Sequence, residues 1–318
     1  MKEQTKDISA TYSGRIFKST GSWYWIKTET GSIVRGRLRG KFKVSGLKVT
    51  NPIAVGDQVT YILEDEAEGT VMITGISDRI NYLVRKSVHK TGHAHLIASN
   101  LDQAIVVTSL FMPRTSTGFI DRFVVSAESF GIPTVVIFNK TDLLEGEDLD
   151  VAKWLCSVYD KAGCRTILTS TVSGQGLEEL KEILSGKTSL LSGHSGVGKS
   201  SLANALFPGL DLRTQEVSDF AEKGKHTTTF AEMFQIDEQT YLIDTPGIKE
   251  LGIAEIDNTE MAHFFPEMRA LLGQCRFHNC QHINEPGCVV IDAVNAGRIA
   301  QTRYHSYLSM MSGDDNRR

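Results

Sequence analysis

Between Thr11 and Ile76 apolar and polar residues alternate in five short runs: Thr11–Phe17, Ser22–Thr28, Ser32–Leu38, Gln58–Leu63 and Thr70–Ile76. Glycine-bearing turns at Gly21, Gly31, Gly56 and Gly69 separate them. Period-two alternation predicts strands buried on one side, and five of them in about 70 residues predict a small barrel. After Ile80 the pattern weakens through a polar stretch, Asn81–Ala98, which reads as a linker. From Asn100 apolar runs at Ala104–Val107, Thr134–Phe138, Thr166–Leu168, Ser189–Leu191 and Tyr241–Ile243 alternate with amphipathic segments of helical length, including Gly118–Phe130, Leu149–Ala162 and Leu177–Leu184. That rhythm predicts a mainly parallel sheet with helices on both faces, binding ligands at the carboxyl ends of its strands. Met261–Leu272 and Val289–Met310 carry helical patterns near the end of the chain.

The 318 residues, 41% of them apolar and 23% charged, suffice for more than one packed core. The first ten residues lack the apolar core of a signal peptide, and no run is long and apolar enough to span a bilayer, so a cytoplasmic protein without membrane contact is expected. Five cysteines, three of them crowded between Cys275 and Cys288, do not resemble a secreted disulfide framework.

Charge is uneven. The net −4 hides a basic start: residues 1–90 carry 15 Lys and Arg against 9 Asp and Glu. Arg35, Arg37 and Arg39 alternate on one strand, Lys41 and Lys43 follow, and Trp23, Tyr24 and Trp25 lie in the preceding run. Such a face suits a phosphate backbone, so Arg35, Arg37, Arg39, Lys41 and Lys43 are candidate RNA contacts; a solvated strand face is the plain alternative. Strand aromatics alternate faces, so at least one of the three belongs to the core.

The strongest chemical signal is Gly193-His194-Ser195-Gly196-Val197-Gly198-Lys199-Ser200, placed between an apolar strand and the helical run Ser201–Leu206. This is the phosphate-binding loop pattern in its required context. Gly193, Ser195, Gly196, Val197, Gly198, Lys199, Ser200 and Ser201 are expected to cradle phosphates, with Lys199 on the β- and γ-phosphates and Ser200 on Mg²⁺. Downstream, Asp244-Thr245-Pro246-Gly247 ends a strand, offering the Asp244 carboxylate to Mg²⁺ and the Gly247 amide to a γ-phosphate. Between them, Gly224–Thr229 supplies hydroxyls, Thr228 among them, that can complete the Mg²⁺ shell. The position after Gly247 is Ile248 rather than a water-orienting Gln, so slow unaided turnover and another water-positioning group are expected; His226 is the nearest polar candidate in sequence.

Asn139-Lys140-Thr141-Asp142 follows another strand. Asp142 can accept hydrogen bonds from the ring N–H and amino group of guanine, Lys140 can cover the base, and Asn139 can tie this loop to the phosphate loop, selecting GTP over ATP. Ser170 and Thr171 resemble a second base-contacting loop. The base-reading motif stands upstream of the phosphate loop, whereas GTPases usually have the reverse order, so the nucleotide domain reads as circularly permuted.

Cys275, Cys280, His282 and Cys288 form C-x4-C-x-H-x5-C, three thiols and an imidazole with the spacing of a structural zinc site; His278 is an alternative ligand to His282.

In this order the motifs resemble the RsgA (also called YjeQ or EngC) family of circularly permuted bacterial GTPases, over nearly the whole chain. The resemblance implies an OB-fold RNA-binding domain at 1–80, a linker at 81–98, a permuted α/β P-loop GTPase domain at 99–255 and a helical zinc-binding domain at 256–318. It also implies that the small ribosomal subunit and its rRNA are partners and stimulate hydrolysis of GTP to GDP, coupled to late subunit maturation and release. In that family the histidine of the segment matching Gly224–Thr229 is implicated in hydrolysis, which maps to His226. A monomer carrying one zinc, with Mg²⁺ bound alongside GTP, is expected. A nucleotide-dependent small-molecule kinase, or an RNA-binding protein with an inert nucleotide fold, would share parts of this pattern.

Overall fold

The computed structural model describes residues 10–40, 51–65, 69–86, 94–210, 231–245 and 256–314. Strands β1 (Thr11–Ser19), β2 (Tyr24–Thr28), β3 (Ile33–Leu38), β4 (Gln58–Asp65) and β5 (Thr70–Ile76) pair in the order β1-β2-β3-β5-β4, and β1 pairs with β4 to close a barrel. The alternation that predicts these strands points Ile16, Tyr24, Ile26, Val59, Tyr61, Val71 and Ile73 inward as one apolar core. Tyr24 is therefore the core member of the aromatic trio, while Trp23 and Trp25 stay half-buried.

The expected linker is in part a hairpin. β6 (Tyr82–Lys86) pairs antiparallel with β7 (Ala94–Ser99), and Leu83, Val84, Leu96 and Ala98 are buried. The cations and histidines of Arg85–His95 mask two short strands whose apolar residues are too few to show a period. Leu83 and Ala98 join the core of the next sheet, beside Phe119, Phe123 and Leu155, so the segment packs rather than tethers.

That sheet is built from β8 (Gln103–Thr108), β9 (Thr134–Asn139), β10 (Arg165–Thr169), β11 (Thr188–Ser192), β12 (Glu232–Gln235) and β13 (Tyr241–Asp244), ordered β10-β9-β8-β11-β13-β12. All neighbours are parallel except β12 against β13. β8, β9 and β11 are buried on both faces, as parallel strands covered by helices must be. Helices α1 (Thr117–Glu128) and α2 (Glu147–Lys161) cover one face with Phe119, Phe123, Leu155 and Tyr159. Helices α3 (Leu177–Leu184) and α4 (Lys199–Leu206) cover the other with Leu180, Leu184 and Leu202. Because the chain passes from β10 across to β11, the strand order switches between β8 and β11, which opens a binding crevice at their carboxyl ends.

A third core holds the C-terminal part together. Met261–Leu272 does not form one helix: a 3-10 turn (Met261–Phe264) gives way to the short α5 (Pro266–Arg269), because Pro266 brings no N–H to an earlier turn. Val289–Met310 likewise divides into α6 (Val289–Asn295) and α7 (Gln301–Ser312) around Gly297 at φ 69°. Met261, Phe265, Met268, Val290, Tyr307 and Met310 pack together with Val125 of α1. The seam also contains Arg303, 1% exposed, which donates to Asp121 of α1 (2.8 Å) and Glu267 of α5 (2.7 Å). On the opposite side β1 of the barrel pairs with β12 at Lys18 and Glu232, making barrel and sheet continuous. Among the described residues no helix is long and apolar enough to cross a membrane.

Candidate nucleotide site and metal centre

The loop from Gly193 to Gly198 leaves β11 at the crevice and enters α4. Two of its glycines are required by close approach as well as by left-handed backbone. A Cβ at Gly193 (φ 142°) would lie 2.3 Å from the Val107 carbonyl oxygen, and one at Gly198 (φ 99°) 2.4 Å from Asn139 Nδ2. Val197 is buried against α4, whereas Ser195 and Ser201 are exposed and Ser200 half-buried at the helix start. Lys199 Nζ folds back over the loop, donating to the carbonyls of Gly193 (2.8 Å) and His194 (3.0 Å). Burial lowers the pKa of Lys199, and the charge of Asp244 draws it back up.

Asp244 ends β13, in register with Leu191 of β11, so its carboxylate stands beside the phosphate loop. Burial pushes that carboxyl up, against the opposing pull of Lys199 and of the Thr245 backbone N–H. Thr245 Oγ1 anchors the turn on the Leu191 carbonyl at 2.9 Å. Asp244 and the Ser200 hydroxyl are hard oxygen donors at one rim, a set that fits Mg²⁺. Thr228, Gly247 and His226 fall outside the described residues.

The base-reading turn meets this loop directly. Asn139 Nδ2 donates to the Val197 carbonyl at 2.9 Å, across 58 residues of sequence, while Thr169 Oγ1 donates to Asn139 Oδ1 (2.9 Å) and fixes its amide. Lys140 takes φ 65° and sends Nζ to the Met112 carbonyl, 2.6 Å away. Asp142 is exposed, its Oδ1 receiving the Ser170 hydroxyl at 2.5 Å. Ser170 Oγ in turn accepts from the backbone N–H groups of Val172 and Ser173. Ser170 thus orients the carboxylate from beneath, and Thr171 is half-buried beside it.

One participant carries no motif. The segment after β8 lies over both loops: the Met112 carbonyl receives Lys140, the Pro113 ring lies 3.3 Å from where a Cβ of Gly196 would stand, and Phe119 meets the His194 ring at 4.0 Å between centroids. Ser116, which caps α1 by accepting from Phe119 N, marks a helix start in the sequence. Nothing local says what the preceding segment touches.

In the C-terminal part Cys275, Cys280, His282 and Cys288 bring three Sγ atoms and one ring nitrogen within 4.8 Å of one another. His282, not His278, joins the group. Its Nδ1 lies 3.4 Å from Cys288 Sγ and 3.6 Å from Cys275 Sγ, and the two sulfurs are 4.0 Å apart. Tetrahedral bonds of about 2.3 Å require edges of roughly 3.5–4 Å, so the donors fit a metal ion of zinc's size. Burial pushes the Cys280 thiol up to about 12 and raises Cys288, and it lowers His282. Thiolates in this pocket need a cation among them. Tyr304 and Tyr307 of α7 hold the loop by donating to the carbonyls of His282 (2.8 Å) and Gln281 (2.7 Å).

On the barrel, Arg35, Arg37 and Arg39 are exposed at alternating positions. Arg35 sits 4.8 Å from the Trp23 ring centroid and 5.6 Å from that of Trp25. Arg37 is engaged by Glu64, with Nη2 2.5 Å from Oε1, so its charge is partly met within the barrel. Lys41 and Lys43 lie outside the described residues.

The RsgA GTPase family model matches residues 76–254 and the RsgA N-terminal domain model residues 13–71. A Cytophaga hutchinsonii protein named small ribosomal subunit biogenesis GTPase RsgA is 53% identical over 96% of this chain and 99% of its own length. A Flavobacterium johnsoniae protein of the same name is 46% identical over 95% and 94%. Among solved structures, YjeQ from Thermotoga maritima matches at 37% identity with a TM-score of 0.74, over 97% of this chain and 100% of that one. YloQ, described as a circularly permuted GTPase, matches at 28% identity and a TM-score of 0.70, over 99% of each.

Proposed function

The chain belongs to the RsgA GTPase family, and from that premise we propose that it hydrolyses GTP in the biogenesis of the small ribosomal subunit. The observation that carries the reading is the Asn139–Val197 hydrogen bond: it joins a guanine-reading turn to a phosphate loop in permuted order. A small-molecule kinase would have no use for an oriented Asp142 beside that loop.

In this reading the guanine ring N–H and amino group donate to Asp142, held by Ser170; Lys140 covers the base and Thr171 borders it. The loop amides of Gly193–Ser201 surround the phosphates. Lys199 leaves the Gly193 and His194 carbonyls for the β- and γ-oxygens, where its charge opposes the charge that develops on transfer. Ser200, Asp244 and Thr228 would hold Mg²⁺, which neutralises phosphate charge when bound. Gly247 donates its amide to the γ-phosphate, and His226 orients the attacking water.

Residues 1–80, carrying Arg35, Arg37, Arg39, Lys41 and Lys43, contact rRNA of the small subunit; residues 99–255 bind nucleotide. In 256–318 the three cysteines and His282 bind zinc, which staples a loop between short helices. The protein works as a cytoplasmic monomer, and GTP hydrolysis releases it from the subunit. Hydrolysis measured alone, with purified small subunits and with large subunits tests this: stimulation by the small subunit only is expected. Equal turnover in all three would overturn the partner assignment.

A further inference from the structure

A row of paired residues crosses the seam between barrel and sheet. Lys18 of β1 is in register with Glu232 of β12, and Glu232 with Asp244 of β13. Directly paired residues share a face of the sheet, and here the face is the one covered by α3 and α4, because Leu242 and Phe234, two residues from Asp244 and Glu232, pack there. Lys18 Nζ donates to Glu232 Oε2 at 2.8 Å. Trp25 steadies the same ammonium, which lies 5.8 Å from its ring centroid. No nucleotide motif includes Lys18 or Glu232.

We infer that Glu232 is a positioning residue for the magnesium ion assigned to Asp244, and that Lys18, reaching in from the barrel, sets how much of its charge acts there. The inference rests on the reading of Asp244 given above. A carboxylate one strand away attracts a divalent cation, and an ammonium at 2.8 Å cancels most of that field. The barrel thereby contributes a side chain to the charge balance of that site.

The test is a Mg²⁺ titration of the full-length protein's affinity for a fluorescent, non-hydrolysable GTP analogue. Lys18→Gln bares Glu232 and should lower the Mg²⁺ concentration at the midpoint about two- to fivefold, the size expected for one partly screened charge acting on a divalent ion. Glu232→Gln leaves Lys18 in excess and should raise the midpoint by a similar factor. The double variant should return close to the parent protein. Opposite shifts that cancel cannot come from loosened packing, which would move both single variants the same way. Midpoints unchanged, or shifted in one direction by both, overturn the inference while leaving the reading of Asp244 intact. An analogue affinity indifferent to Mg²⁺ in the parent protein overturns that reading and the inference with it.

Discussion

Asp142 is held with one oxygen on Ser170 and its outer edge open, so what it recognises depends on its being an acceptor only. Asp142→Asn places a donor there, and competition binding should show preference passing from guanine to xanthine nucleotides; retained GTP selectivity would count against base reading. Lys199→Ala removes the ammonium that the loop carbonyls hold over the phosphate position, and single-turnover hydrolysis should fall by about a hundredfold or more. The residues that do the chemistry are legible in the sequence because their spacing is dictated by the nucleotide. Those that aim them are not: Thr169 fixing Asn139, or the Met112 carbonyl receiving Lys140, become neighbours only when parallel strands are laid side by side.

Elements hide their partners in a similar way. An Asp inside the apolar run Gly118–Val125 is visible in the sequence, yet its purpose appears only when α7 delivers Arg303 to it. Arg303→Ala leaves Asp121, fully buried, without its cation and should cost about 3–5 kcal/mol in urea unfolding. Asp121→Leu and Glu267→Gln combined with Arg303→Met should recover much of that, since no charge is then left unpaired at the seam. In the cysteine loop, Glu285 accepts from the backbone N–H groups of Gln281 (2.8 Å), Ile283 (2.9 Å) and Asn284 (3.1 Å). Burial works to raise the Glu285 carboxyl, but these bonds prevail and hold it down to about 2. A carboxyl so depressed stabilises the fold above its unfolded pKa of about 4.3, and the contribution is lost as pH falls toward about 2. Thermal melts should therefore separate Glu285→Gln from the parent protein at neutral pH and draw together as the solution is acidified. The hairpin of β6 and β7 escapes a periodicity reading because each strand offers only two or three inward residues between charged ones.

At the scale of the molecule, the barrel, the twisted sheet and the cysteine-rich end are each legible from hydrophobic rhythm and motif, since each has a core of its own. How they join is not, because the joints bring together residues far apart in sequence: Lys18 with Glu232 between barrel and sheet, and Arg303 with Asp121 at the α1–α7 seam. Stripping the metal from the cysteine cluster should therefore lower the melting temperature of the C-terminal part first, seen as protease cleavage after Ile256 before any cleavage within the sheet. Permutation of the nucleotide motifs has its meaning here too, since β9 and β11 flank β8 whatever their order in the chain. The most direct measurement is a crystal structure with Mg²⁺ and a non-hydrolysable GTP analogue. The base should lie on Asp142, the phosphates within Gly193–Ser200 and the metal between Ser200 and Asp244; a nucleotide bound with its base away from the Asn139–Asp142 turn would contradict the account.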